Sequence, residues 1–222
     1  MAKFSDKIND LFRGCEWEKA RQLLENEREK EPNNHWVLTQ LGVTFYEQKK
    51  YSQALQLFRA SLAIVDDCPL TLWNLAGALD SLENHRAAAK IYTWLLQTER
   101  SPEDDPCWES QKWTDALKTN CLYRLGCCLQ SLGKKKDAEH YYRHYLDLLL
   151  LGRDGMYSAE EVAKRIRSLH SSRMRRRAGD FQKVVNSAIQ VSGSRPQEGR
   201  RIAPPRLGER ELLVGQRAAS KK

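Results

Sequence analysis

Apolar residues recur along the first two-thirds of the chain at steps of three and four, the period of a helix with one buried face. The rhythm is plainest between residues 36 and 64. Trp36, Leu38, Leu41, Gly42 and Phe45 form one stripe, the polar Lys49-Lys50 breaks it, and Ala54, Leu55, Leu57, Phe58, Leu62 and Ile64 form the next. This predicts two helices joined by a tight turn. The pair returns at a fixed offset: Ala20, Ala54 and Ala88 are 34 apart, as are Leu24, Phe58 and Tyr92, and Leu11, Phe45 and Leu79. Leu41-Gly42 returns 34 later as Leu75-Ala76. A fourth copy arrives late, with Leu125-Gly126, Leu129, Ala138 and Tyr142 each 50 residues after their counterparts, a delay of 16. The chain therefore reads as four helix pairs near 1–34, 35–68, 69–102 and 119–152, with an insertion at 103–118. One such pair cannot bury its apolar face alone, so neighbours must stack.

Small residues at Gly42, Ala54, Ala76, Ala88, Gly126 and Ala138 let paired helices approach, and Phe45, Phe58 and Tyr92 fill the space between them. A 34-residue helix–turn–helix with Leu-Gly, an aromatic three residues on, then Ala-x3-Phe resembles the tetratricopeptide repeat. The second unit carries the pattern best, in Leu41-Gly42, Phe45, Tyr51, Ala54 and Phe58; the fourth offers Leu125-Gly126, Gly133, Ala138 and Tyr142. The first unit keeps mainly its second helix, with Trp17, Ala20, Leu24 and Pro32, and holds Lys7-Ile8 in the Leu-Gly slot, as a terminal cap would. The resemblance covers residues 1–152. It implies an all-α fold, a right-handed superhelix whose concave groove is lined by the first helix of each pair.

In the insertion, Asp105-Pro106 has the form of a helix start, and no breaker follows until Gly126, so one long helix is expected from near Pro106 to about Ser131. Trp108 and Trp113 either pad the third pair or form a protrusion that a partner could grip. Further on, Ser158-Ala-Glu-Glu161 is a capping box, followed by the stripe Val162, Ile166 and Leu169. Residues 158–170 are thus expected to cover the last pair, within a 153–175 segment of capping helix and basic residues. Residues 176–222 are rich in Gly, Ser, Pro and Arg towards their end and are expected to be mostly disordered.

Charge divides the chain at the same place. Residues 153–222 carry 17 Lys and Arg against 7 Asp and Glu, whereas residues 1–152 carry 20 against 22, so the net +8 belongs to the tail. Arg173, Arg175, Arg176 and Arg177 are the candidate polyanion contacts there, with binding that fades as salt rises. The longest apolar run, Leu148–Leu151, is far short of the ~20 residues a bilayer needs. The start, Met1 to Asp6, has no apolar stretch of signal-peptide length. These features predict a cytoplasmic protein. Six cysteines without a CxxC pair predict reduced thiols.

The chain has no GxGxxG, Walker loop, GxSxG or HExxH, so no catalytic residue, cofactor or small-molecule substrate is expected. His140 and His144, four apart beside Asp137 and Glu139, have a metal-binding spacing but read as a solvated face among Lys136 and Arg143, and no metal ligand is assigned. Cys127-Cys128 reads as one packed thiol and one near the groove, because adjacent helical residues point ~100° apart.

What remains is the groove. By the repeat register it is lined by Trp36, Thr39, Val43 and Tyr46, then Leu70, Trp73, Gly77 and Asp80, then Asn120, Tyr123, Cys127 and Gln130, with Asn74 and Arg124 as further polar candidates. Relatives that grip the C-terminal carboxylate of heat-shock chaperones use a clamp of Lys, Asn and Arg; Asn74 and Arg124 could match it. Thr39, Val43 and Asn120 hold the other slots and none is basic, so that reading is set aside. Trp36, Tyr46, Trp73 and Tyr123 form an aromatic set outside the packing slots, covered either by a partner or by the chain's own end. The function expected is a protein–protein adaptor holding a partner peptide or helix. The alternatives are an RNA- or membrane-associated adaptor acting through the basic tail, and a secretion-type chaperone, whose members are usually acidic and lack such a tail.

Overall fold

The computed structural model describes residues 2–100, 106–170 and 186. Its elements run α1 (Ala2–Arg13), α2 (Trp17–Lys30), α3 (His35–Glu47), α4 (Tyr51–Leu62), α5 (Pro69–Ser81), α6 (His85–Gln97), a 3-10 turn (Pro106–Trp108), α7 (Gln111–Ser131), α8 (Lys135–Leu150) and α9 (Ala159–Leu169). No strand occurs among the described residues. Each α-helix packs on the next, which makes an all-α solenoid of four helix pairs closed by α9. Arg173, Arg175, Arg176, Arg177 and the rest of the expected basic tail lie outside the described residues, Asn186 apart.

The turn inside each pair is the same device four times. Cys15, Lys49, Glu83 and Gly133 all have positive φ, between 56° and 74°, and they follow the 34, 34 and 50 spacing of the repeat. The next residue's N–H reaches back five residues in every case: Glu16 to Leu11, Lys50 to Phe45, Asn84 to Leu79 and Lys134 to Leu129, at 2.8–2.9 Å. This is the left-handed helix stop that satisfies a last-turn carbonyl and reverses the chain. Only the fourth copy uses glycine, the residue that adopts this conformation at least cost.

Close approach explains the Leu-Gly slot. A Cβ added at Gly126 would lie 2.6 Å from the fully buried Tyr142 ring, and one at Gly42 would clash with the Phe58 ring. The aromatic of the second helix lies directly over the bare backbone of the first. Gly126→Ala gains about 1 kcal/mol of helix propensity but overpacks a ring that cannot swing away, and overpacking costs about 1–3 kcal/mol. We expect a net loss of up to about 2 kcal/mol, read from the urea midpoint; raised stability would mean that the pair spreads freely.

The first pair is complete. Ile8 and Phe12 of α1 are buried with Ala20, Leu24, Trp36, Val37 and Leu41 in a cluster at one end of the solenoid. A larger cluster runs from Ala54 to Leu169 and takes in α9 through Val162, Ile166 and Leu169. The helix expected from Pro106 does not begin there. The 3-10 turn comes first, and α7 starts at Gln111, where the Ser110 hydroxyl accepts from Trp113 N–H. Glu109, with φ 47°, makes the bend between the two. The insertion's Trp108 is fully buried and Trp113 is half-buried against the core. They pad the solenoid, and Trp108 protrudes nowhere.

Candidate functional site

The first helices of the second to fourth pairs, α3, α5 and α7, present the residues expected to line a groove. On α3, Val43 and Tyr46 are half-buried one turn apart. The Tyr46 ring lies beside Gly77 of α5, where an added Cβ would come 3.4 Å from the Tyr46 hydroxyl oxygen. One turn earlier on α5, the half-buried Trp73 packs edge-on against Tyr92 with centroids 5.4 Å apart. Asn74, beside it, donates to the Leu70 carbonyl at 2.8 Å.

The fourth pair's share of this face is covered by the chain itself. The loop between α8 and α9 brings Tyr157 flat onto Tyr123, with centroids 3.6 Å apart. The Tyr145 hydroxyl, which donates to Tyr157 O at 2.8 Å and accepts from Tyr157 N–H at 2.9 Å, fixes that loop. The Asn120 side-chain oxygen accepts from Met156 N–H at 2.8 Å. Tyr123 accepts from Arg165 Nε at 2.6 Å and donates to Glu161, both on α9. Burial pushes the Tyr157 phenol up to about 12, and its neighbours in that setting include Arg124, Cys127 and Tyr46. Tyr157 thus covers the α7 end of the face expected to form a groove.

Two family profiles match the chain, both described as tetratricopeptide repeat, over residues 39–66 and 119–148. This is a tetratricopeptide repeat domain protein. Solved structures with the same fold include MamA from Desulfovibrio magneticus RS-1, at 15% identity and TM-score 0.56, covering 89% of this chain and 97% of that one. YrrB, described as a TPR protein with an unusual peptide-binding site, aligns at 14% identity and TM-score 0.54, covering 86% of each chain. A Podosopora anserina kinesin light chain with nearly identical TPR-like repeats aligns at 12% and 0.59, covering 86% of this chain and 94% of that one. No curated protein matches. Tetratricopeptide repeats are non-enzymatic scaffolds, and the domain is a protein–protein interaction module. No described helix is long and apolar enough to cross a membrane.

Within this tetratricopeptide domain, five of the expected groove residues lie elsewhere than on an open wall. Trp36 is 7% exposed, because Phe4 of α1 packs edge-on against it, a helix whose cover the register does not reveal. Thr39 is fully buried, its hydroxyl 2.8 Å from Ser61 and 2.7 Å from Thr71, in a knot that ties α3, α4 and α5. Gly77 is covered by Tyr46, and Asn120 and Tyr123 by the segment leading into α9. Arg124 is only partly exposed: it pairs with Asp80 at 3.3 Å and donates to the Tyr92 hydroxyl at 3.2 Å. Its charge is answered within the fold, so it does not supply the selectivity for an acidic partner that a free arginine would. Cys127 is half-buried, and burial pushes its thiol up. Val43, Tyr46, Trp73 and Asn74 remain as the accessible wall.

A second constellation was not legible from local spacing. His35 at the start of α3, Cys68 capping α5 and Cys107 in the 3-10 turn bring their ligand atoms within 4.8 Å of one another. A hydrogen bond with Cys107 and the nearby His35 hold the Cys68 thiol well below its usual range, against the opposing effect of burial. His140 and His144 are both exposed, and among the described residues they join no group of three ligands.

Proposed function

We propose that this domain binds an extended or helical segment of another protein along the face shared by α3 and α5. The observation that carries the reading is the half-buried strip of Val43, Tyr46 and Trp73, flanked by Asn74, on the neighbouring first helices α3 and α5. Rigid aromatics with a polar neighbour are what protein interfaces enrich. Tyr157 ends the strip at α7, so the bound segment is short and lies over the second and third pairs. We take the protein to be a scaffold, the role that tetratricopeptide repeats serve. YrrB's peptide-binding site lends the reading support by likeness of fold.

The test is a photo-crosslinking amino acid placed at Tyr46 and, in a separate variant, at Trp94, an α6 residue 40% exposed. Full-length protein in its native lysate is expected to capture a partner from position 46 and not from 94. Capture from 94 alone would move the interface off the groove.

A further inference from the structure

We propose that His35, Cys68 and Cys107 form a zinc site that fastens the insertion to the second and third repeats. The three residues come from separate elements, 33 and 39 residues apart in sequence, and converge on one cleft. Cys68 is 4% exposed and Cys107 8%. Cys107 Sγ lies 3.8 Å from His35 Nε2. Two thiolates and an imidazole are the soft and borderline donors that select zinc, with bonds of about 2.3 Å to sulfur and about 2.0–2.1 Å to nitrogen. A tetrahedron with those bonds sets its ligand atoms roughly 3.5–3.8 Å apart. The Cys107–His35 separation already meets that figure, and the remaining separations, all within 4.8 Å, close by small side-chain rotations.

The surroundings are built to hold these ligands. Asn34 caps α3 by accepting from Val37 N–H at 3.2 Å, which fixes the turn that carries His35. The His35 carbonyl accepts from Thr39 at 3.0 Å and from Ser61 at 2.9 Å, so the buried hydroxyl knot lies directly behind the histidine backbone. Cys68 occupies the N-cap position of α5, ahead of Pro69, where free backbone N–H groups favour a thiolate. Glu109 lines the same cleft with Trp36, Thr39 and Leu70, but its carboxylate is not gathered with the three ligand atoms, so the fourth position is left to a water. An ion here would close two long loops of chain, and its binding free energy becomes folding free energy. It would explain why a segment that breaks the 34-residue period carries a buried cysteine in its 3-10 turn.

The experiment uses the full chain, expressed in zinc-supplemented medium and purified under thiol-reducing conditions without chelator. Elemental analysis is expected to find about one zinc per chain, and to lose it in His35→Ala, Cys68→Ser and Cys107→Ser but not in Cys127→Ser. Cobalt substituted into the wild type is expected to show sulfur-to-metal charge transfer and the intense visible bands of a tetrahedral centre. This readout does not depend on a variant folding. Chelator is expected to lower the wild-type melting temperature and to leave that of Cys107→Ser unmoved. A reduced wild-type chain that takes up no zinc, a cobalt spectrum without thiolate character, or a Cys68–Cys107 disulfide in place of metal would each overturn the proposal.

Discussion

Trp108→Ala is expected to cost about 3–5 kcal/mol of folding stability, the usual range for emptying a fully buried indole site. The ring has no solvent exposure and belongs to the core cluster that contains Tyr92, Leu95, Leu117 and Cys121. Lys118 lies over it, 5.9 Å from its centroid, and extends its ammonium to the Thr98 carbonyl at 2.6 Å. Thr114 donates to the Trp108 carbonyl at 3.1 Å, so the first turn of α7 is hung on the same residue. Truncation would leave a cavity between the third and fourth pairs that neither helix can fill by a side-chain rotation alone. Trp113, only half-buried, is the internal comparison, and Trp113→Ala should cost roughly 1 kcal/mol, as a partly exposed substitution does. Urea titrations followed by circular dichroism separate the two. If Trp108→Ala lost less than Trp113→Ala, the insertion would be a loose appendage and the continuity of the core through it would be wrong.

The repeat was legible because it is written twice, once in apolar spacing and once in turn positions. Ala20, Ala54 and Ala88 set the period, and Cys15, Lys49, Glu83 and Gly133 keep it in backbone conformation although three of the four are not glycine. Ser158 was equally readable, since an N-cap is a local event: its hydroxyl accepts from Glu161 N–H at 3.1 Å. The start of α7 was not. Asp105-Pro106 has the composition of a helix start, but the chain first spends a 3-10 turn placing Cys107 and Trp108 inward, and Ser110 then does the capping.

The site shows more clearly where spacing stops being informative. Thr39, Trp73 and Tyr123 hold the same slot of three successive first helices. Thr39 disappears into a hydroxyl knot, Trp73 stays half-exposed, and Tyr123 is covered by Tyr157. Helical register dictates which face a residue takes. It does not dictate what distant chain is laid over that face, and here the cover comes from Tyr157, 34 residues after Tyr123. The His35, Cys68 and Cys107 cluster escaped for the same reason: metal motifs are recognised by short spacings, and these ligands meet only through the stacking of repeats.

Trp73→Ala is expected to weaken binding of the groove's partner about thirtyfold or more, because truncating a central tryptophan hot spot costs roughly 2 kcal/mol or more and each 1.4 kcal/mol is tenfold. The structure sharpens why this residue rather than Trp36 or Tyr123 is the one to change. Those two are held by Phe4 and by Tyr157, so altering them tests the fold. Trp73 is half-buried, with its aromatic contact to Tyr92 and part of its surface still open on the face of α5. The loss of that single aromatic contact should cost the fold only about 0.5–1.5 kcal/mol beyond the buried area, which the core can bear. Asn74→Ala is the companion variant: its side chain is tied to Leu70 O, so it should leave the fold intact and reduce affinity less than Trp73→Ala. Arg124→Glu is the wrong probe, because it would set a carboxylate against Asp80 and report on repulsion inside the fold. Titration of wild type and both variants with the crosslinked partner, alongside circular dichroism, decides the matter. Full affinity in a folded Trp73→Ala protein would place the interface on another surface. The exposed Trp94 of α6 and Leu151, 78% exposed after α8, would then be the next positions to probe.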